Sequence, residues 1–189
     1  MLVKRPKTAG LTLIAVLLVA ALAVGCSFTG AKQDEGMTLY RCGSLTAALP
    51  SDDVDALRVT AEAPDGEQAF FSVTQKASAE AAERDGYVDS GIGWLFSLVR
   101  YDRTAYERWL CADGSGLSFF ATDGTWYYGL CLPTDVRYYP SGDESTAEQE
   151  QAEWLRLSTL GDAVAEDFVT RNGLTAYSDA ALREGYTYD

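Results

Sequence analysis

Two short runs of apolar and aromatic residues, separated by Asp123-Gly124, constrain the fold of this chain most strongly. The first run covers residues 117–122 and the second covers residues 125–132. An Asp-Gly pair between such runs is typical of a β-hairpin with a two-residue type I′ turn, because both central residues need positive φ. That turn pairs Ala121 with Trp126 and places both side chains on an apolar face. The chain is therefore expected to build an antiparallel sheet.

Alternating or continuous apolar residues predict further strands, and apolar residues at helical spacing predict helices. The predicted strands are residues 45–49, 57–61, 68–74 and 94–101, of which the last is apolar on both faces and so central. The predicted helices are residues 78–86, 104–111 and 146–171, two of them opened by the capping boxes Thr104 to Glu107 and Ser145 to Glu148. These elements predict an α+β fold: an antiparallel-rich sheet with helices packed on at least one face, and a long C-terminal helix.

The N-terminus has the three parts of a secretory signal: three basic residues within residues 1–7, an apolar run over residues 11–24, and small residues before Cys26. Residues 22–26, Leu-Ala-Val-Gly-Cys, resemble the lipobox of bacterial lipoproteins. The resemblance implies that Cys26 carries a diacylglycerol and anchors the chain on the extracytoplasmic face of the cell membrane. An uncleaved membrane anchor is the alternative, because residues 8–31 contain no charge.

These features predict three parts: a lipoprotein signal peptide over residues 1–25, a flexible polar tether over residues 26–36, and a single acidic α+β domain over residues 37–189. The chain has 189 residues with a net charge of −13. Residues 1–25 hold three basic and no acidic residues, so the remainder has 12 basic against 28 acidic residues, a net charge of −16. Because phosphate contacts supply most non-specific affinity for nucleic acids, we expect no nucleic-acid partner.

The chain contains no histidine. This excludes Ser-His-Asp and Cys-His catalytic arrangements and removes the commonest zinc ligand. We therefore expect no enzyme activity, no metal site and no cofactor. A hydrolase that uses a pair of carboxylates is the less favoured alternative.

Three cysteines remain after Cys26: Cys42, Cys111 and Cys131. A possible disulfide joins Cys111 and Cys131, which would close a loop of about 20 residues and stabilise the fold by about 3 kcal/mol. The alternative is that all three are small buried apolar residues.

Aromatic residues cluster in the hairpin and the loop after it, and Tyr127, Tyr138 and Tyr139 are the candidate ligand-binding residues. Exposed aromatic rings bind sugars and peptides through flat apolar faces. The alternative is that these tyrosines are ordinary half-exposed residues of the domain.

Residues 70–189 resemble small uncharacterised lipoproteins of Gram-positive anaerobes, through residues 93–96, 110–116 and 133–137. The resemblance implies a membrane lipoprotein with one domain and implies no activity. The sequence thus predicts a membrane-anchored extracytoplasmic lipoprotein that acts as a non-catalytic binding or interaction module, with the membrane and a protein or glycan as partners. A binder of small molecules or glycans through exposed aromatics is the first alternative.

Overall fold

The structure is a computed structural model that describes residues 33–34, 36–111, 116–143 and 145–176. The strands are β1 (Gln33–Asp34), β2 (Met37–Cys42), β3 (Leu45–Pro50), β4 (Leu57–Ala61), β5 (Gln68–Gln75), β6 (Trp94–Tyr101), β7 (Leu117–Thr122), β8 (Tyr127–Cys131) and β9 (Thr175–Ala176). The helices are α1 (Lys76–Arg84), α2 (Arg103–Cys111), α3 (Ala147–Ser158) and α4 (Leu160–Arg171), with a 3₁₀ helix at Ser51–Ala56. This mixture confirms the predicted α+β fold.

The larger sheet has six strands in the order β4-β5-β6-β8-β7-β9, and every neighbouring pair is antiparallel. A smaller antiparallel sheet has the order β1-β2-β3. The predicted central strand is β6, in which Leu95, Phe96 and Leu98 are fully buried. Because β6 pairs with β5 and β8 and is covered on both faces, its sequence is continuously apolar.

Helices pack on both faces of the six-stranded sheet. On one face, Tyr106 and Leu110 of α2 contact Phe119 of β7. The other face contributes to the main core with Trp154 of α3 and Phe168 of α4. This architecture follows from apolar stripes on the helices, each of which must be buried against another element.

The predicted hairpin is present, but its predicted register is wrong. Thr122 pairs with Tyr127 and Ala121 pairs with Tyr128, so the loop contains the four residues 123–126. The shift replaces the predicted pairing partner of Ala121 and places Tyr128 in the core beside it.

The Asp123 carboxylate explains the longer loop. Its Oδ1 accepts the amide N–H groups of Thr125 and Trp126, both at 2.8 Å. Its Oδ2 accepts the hydroxyl of Tyr128 at 2.8 Å. Aspartate side chains commonly bond the backbone two residues further along, which favours this loop over the two-residue turn.

The long C-terminal helical stretch is present and is interrupted at Thr159. The Thr159 hydroxyl donates to the Arg156 carbonyl at 2.8 Å, and the Ser158 hydroxyl donates to the Leu155 carbonyl at 2.7 Å. Hydroxyl groups that bond the preceding turn compete with the regular backbone ladder, so α3 ends here and α4 begins.

The predicted capping box of α2 is wrong because the helix begins one residue earlier, at Arg103. The Asp102 carboxylate accepts the Ala105 amide at 2.8 Å, while Glu107 accepts a hydrogen bond from Arg103 at 2.7 Å. An aspartate directly before the helix satisfies an unpaired N–H group as well as a threonine does.

The predicted capping box of α3 is also wrong. The Ser145 hydroxyl donates a hydrogen bond to the Asp143 carboxylate at 2.7 Å, whereas a capping box requires it to accept one from a backbone N–H in the first turn of the helix. The Thr146 hydroxyl donates to the Glu150 carboxylate at 2.7 Å. These bonds tie the preceding loop to the first turn of the helix.

Candidate functional site

Tyr127, the first predicted ligand-binding residue, lies on the face of the sheet that α2 covers. Its ring stacks on that of Tyr106, with ring centroids 4.0 Å apart and an interplanar angle of 3°. Both rings belong to the small aromatic cluster between α2 and the sheet. The contact explains the aromatic side chain at this position by packing.

Tyr138 and Tyr139 have different contacts. The Tyr138 ring packs against Trp154 of α3, and burial together with the nearby Glu150 carboxylate raises its pKa. The Tyr139 hydroxyl donates to the Asp85 carboxylate at 2.8 Å, and this hydrogen bond raises the pKa of Tyr139. The structure does not bring these two rings and Tyr127 into one site, and ligand binding by them stays a prediction.

Cys42 carries a free thiol, and Cys131 is half-buried. Cys42 is fully buried, and this burial raises its pKa to about 11; burial also raises the pKa of Cys131. The Cys42 thiol is therefore protonated at neutral pH and is a weak nucleophile, and the same holds for Cys131 when it is not in a disulfide. The side chain of Cys111 lies outside the described residues, so a Cys111–Cys131 disulfide stays a prediction.

Many arginines of the described residues are neutralised by carboxylates. The ion pairs join Arg58 with Glu83, Arg103 with Glu107, Arg137 with Asp135, Arg156 with Asp53, and Arg171 with Asp34 and Asp167. Arg108 of α2 is exposed and takes part in none of these pairs. It lies near Asp102, whose pKa is lowered chiefly by the hydrogen bond from the Ala105 amide and further by the charge of Arg108.

Next to Arg108, the side chain of Trp109 is 38% exposed. Its ring centroid lies 6.1 Å from that of Tyr101, with the rings tilted by 54°. We call Tyr101, Arg108 and Trp109 the α2 surface. It combines an exposed aromatic ring with a cation in a protein whose net charge is −13.

The sequence pattern did not single out the α2 surface. Trp109 stands four residues after Ala105, which is buried, and helical spacing therefore predicts that Trp109 is buried too. Its partial exposure depends on where α2 lies on the sheet. The sequence signal that could have indicated this surface is an arginine next to a tryptophan on a short helix, and that combination is common in proteins.

No group of three or more His, Cys, Asp or Glu side chains that could hold a metal ion occurs within the described part of the chain. Over the same residues, no helix combines the length and the apolar character needed to cross a membrane.

No protein-family model and no solved structure matches the chain. It is similar to a curated protein of Escherichia coli (strain K12), the putative transposase InsZ. The two are 33% identical over 106 residues, which is 56% of this chain and 34% of the transposase. The chain therefore spans about a third of the length of the curated relative that it matches.

This similarity corrects two predictions from the sequence. The predicted function, a membrane lipoprotein that serves as a non-catalytic binding or interaction module, is contradicted because the matching protein is a putative transposase and not a lipoprotein. The predicted partners, which excluded nucleic acid, are contradicted for the same reason. The exclusion of nucleic acid was based on net charge, which sums over the whole chain, whereas contact with nucleic acid depends on the charge of one surface.

The signal peptide of residues 1–25 and the lipidation site Cys26 lie outside the described residues, so the extracytoplasmic location stays a prediction. Within the tether of residues 26–36, Gln33–Asp34 forms β1 and pairs with β2. Asp34 also forms an ion pair with Arg171 at 3.0 Å. The prediction that the chain is not an enzyme also stays a prediction.

Proposed function

We propose that this chain has a transposase-related function that includes contact with nucleic acid. The observation that carries the proposal is the similarity to the putative transposase over 106 residues. Because the match covers about a third of that protein, the activity of the whole transposase is not transferred to this chain.

We assign the contact to the α2 surface. The faces of exposed aromatic rings stack on unpaired bases, and this stacking tolerates any base because each has a π-face. Trp109 offers such a ring, and Arg108 beside it supplies a positive charge for a neighbouring phosphate. The rest of the chain is acidic and repels phosphates, so we expect weak binding that weakens further as the salt concentration rises.

The test measures binding by fluorescence anisotropy of fluorescein-labelled DNA of 20 nucleotides, as a single strand and as a duplex, against the full chain at 25 and 200 mM NaCl. The expected dissociation constant at low salt lies in the non-specific range of about 10⁻⁶ to 10⁻⁴ M. Stacking contributes about 1–3 kcal/mol per base, so Trp109→Ala should weaken single-strand binding about 5- to 150-fold.

Matched controls separate the α2 surface from the rest of the protein. Tyr87→Ala removes another exposed aromatic side chain, and Arg84→Gln removes a positive charge on α1. Both should bind like the wild type, whereas Arg108→Gln should bind more weakly and depend less on salt. No binding of either DNA at 100 μM protein would refute the proposal, and equal losses in Tyr87→Ala and Trp109→Ala would refute the assignment to the α2 surface.

A further inference from the structure

We propose that a groove beside α4 binds a short basic segment of a partner protein. The groove lies between α4 and strands β7 and β8 and has a volume of about 590 Å³. Its sheet wall includes Phe120 and Leu130, and its helix wall includes Asp162, Glu166 and Val169. We call it the α4 groove. It is independent of the α2 surface, because α2 and α4 pack on different faces of the sheet.

The helix wall of the α4 groove is long and narrow. The α4 residues that line it stand at positions 162, 165, 166, 169 and 170, which form one face of the helix. The eight steps from residue 162 to residue 170, at 1.5 Å each, make this wall about 12 Å long. An extended peptide advances about 3.3 Å per residue, so the groove fits an extended segment of about four residues.

The charge of the groove points to a basic occupant. Asp162 and Glu166 are both exposed, and neither carboxylate takes part in the ion pairs of the described residues. They stand one helical turn apart, and two like charges at this spacing destabilise a helix. Cationic groups that bind here offset this repulsion and form ion pairs with the two carboxylates.

The spacing of the two carboxylates also specifies the segment. Four residues of α4 correspond to about 6 Å along the helix axis. In an extended peptide, residues i and i+2 point to the same side and lie about 6.6 Å apart. Two lysines at i and i+2 can therefore face Asp162 and Glu166, while the residue between them points to Phe120 and Leu130 on the apolar wall. The expected recognition pattern is Lys, an apolar residue, then Lys.

The experiment titrates the full chain into the fluorescein-labelled peptide Thr-Lys-Val-Lys-Thr and measures anisotropy at 25 and 300 mM NaCl. The matched peptide Thr-Gln-Val-Gln-Thr keeps the length and removes the charges. Exposed ion pairs contribute little each, so two of them should give the lysine peptide about a 2- to 30-fold tighter dissociation constant at low salt. The difference should shrink at 300 mM NaCl because salt screens exposed charges.

Variants then locate the binding. Asp162→Asn with Glu166→Gln should abolish the preference for the lysine peptide. Asp55→Asn with Glu148→Gln removes the same charge from exposed positions outside the groove and should retain the preference. Val169→Lys places a positive charge in the groove and should weaken binding of the lysine peptide.

Equal affinity for the two peptides, or an equal loss in both double variants, would overturn the proposal. The first result would mean that the groove does not select basic segments. The second would mean that the overall acidic field attracts the peptide. Neither result bears on DNA binding at the α2 surface, so this proposal and the proposed function can fail separately.

Discussion

The hairpin loop depends on one carboxylate, and replacing it gives the sharpest prediction about stability. Asp123 accepts hydrogen bonds from the amides of Thr125 and Trp126 and from the hydroxyl of Tyr128, each at 2.8 Å. Tyr128 is 2% exposed, so its hydroxyl has little access to water. Asp123→Ala removes all three bonds and leaves a mostly buried hydroxyl without its acceptor.

The expected cost follows from the exposure of each donor. The two loop amides can bond water in the variant, so each contributes near the lower end of the usual net range, about 0.5 kcal/mol. The bond from the Tyr128 hydroxyl to a charged acceptor contributes about 1.5 kcal/mol or more. Asp123→Ala should therefore lower the free energy of unfolding by about 2.5 kcal/mol. For a domain of this size the melting temperature should fall by about 5–10 °C.

Urea and thermal unfolding, followed by circular dichroism, measure this loss. Asp65→Ala is the control, because Asp65 is an exposed loop carboxylate without a described hydrogen bond, and it should stay within about 0.5 kcal/mol of the wild type. Tyr128→Phe should lower the free energy of unfolding by less in the Asp123→Ala background than in the wild type, because the Tyr128 hydroxyl has already lost its acceptor there. A loss below 0.5 kcal/mol in Asp123→Ala would refute the reasoning.

The same contact predicts how stability depends on pH. Partial burial acts to raise the pKa of Asp123, but the hydrogen bonds from the Trp126 and Thr125 amides and the Tyr128 hydroxyl outweigh it and lower this pKa. A carboxyl with a lowered folded-state pKa stabilises the fold above its unfolded pKa and loses this contribution as pH falls through the folded value. The stability difference between the wild type and Asp123→Ala should therefore be full at pH 7 and shrink below about pH 4.

Two further predictions concern the core. Gly93→Ala should lower the free energy of unfolding, measured in urea, by about 2–4 kcal/mol, because φ is +80° and a Cβ would lie 2.7 Å from the Gln75 carbonyl oxygen. Gly86 also has a positive φ, +91°, but a Cβ there would lie in open space, so Gly86→Ala should lower it by only about 1–2 kcal/mol. Equal losses in the two variants would contradict the steric argument. Phe168→Ala should cost about 3–5 kcal/mol by the same measurement, because Phe168 is fully buried in the main core, and a cost below 1 kcal/mol would show that the core does not depend on it.

The strands were predictable from the sequence wherever the apolar pattern was strong. The continuous run that forms β6 and the alternation in β4 and β5 were identified, because burial of one or both faces imposes those patterns. β2 was not identified, because its side chains are mostly half-buried, whereas the neighbouring β3 is mostly buried and was identified. The two capping boxes and the hairpin register were wrong, because several nearby side chains compete for the same amide groups.

The candidate surfaces were less predictable than the fold. The aromatic character of Tyr127 predicts a ligand-binding residue, whereas in the structure its ring stacks on Tyr106. Trp109 was not predicted, and the α4 groove combines the β7–β8 hairpin with α4, which lies about 30 residues further along the chain. Exposure and juxtaposition depend on how helices lie on the sheet, and a local pattern contains no information on that placement.

By itself, the sequence determined the α+β class, the central strand and the acidic balance, because periodic burial and net charge are properties of the residues along the chain. Only the tertiary structure decided the four-residue loop at Asp123, the break at Thr159 and the pairing of Asp162 and Glu166 with an apolar wall. At Asp123 and Thr159, competing hydrogen bonds select one arrangement among several that the local sequence allows, whereas Asp162 and Glu166 meet the apolar wall only because α4 packs on the sheet.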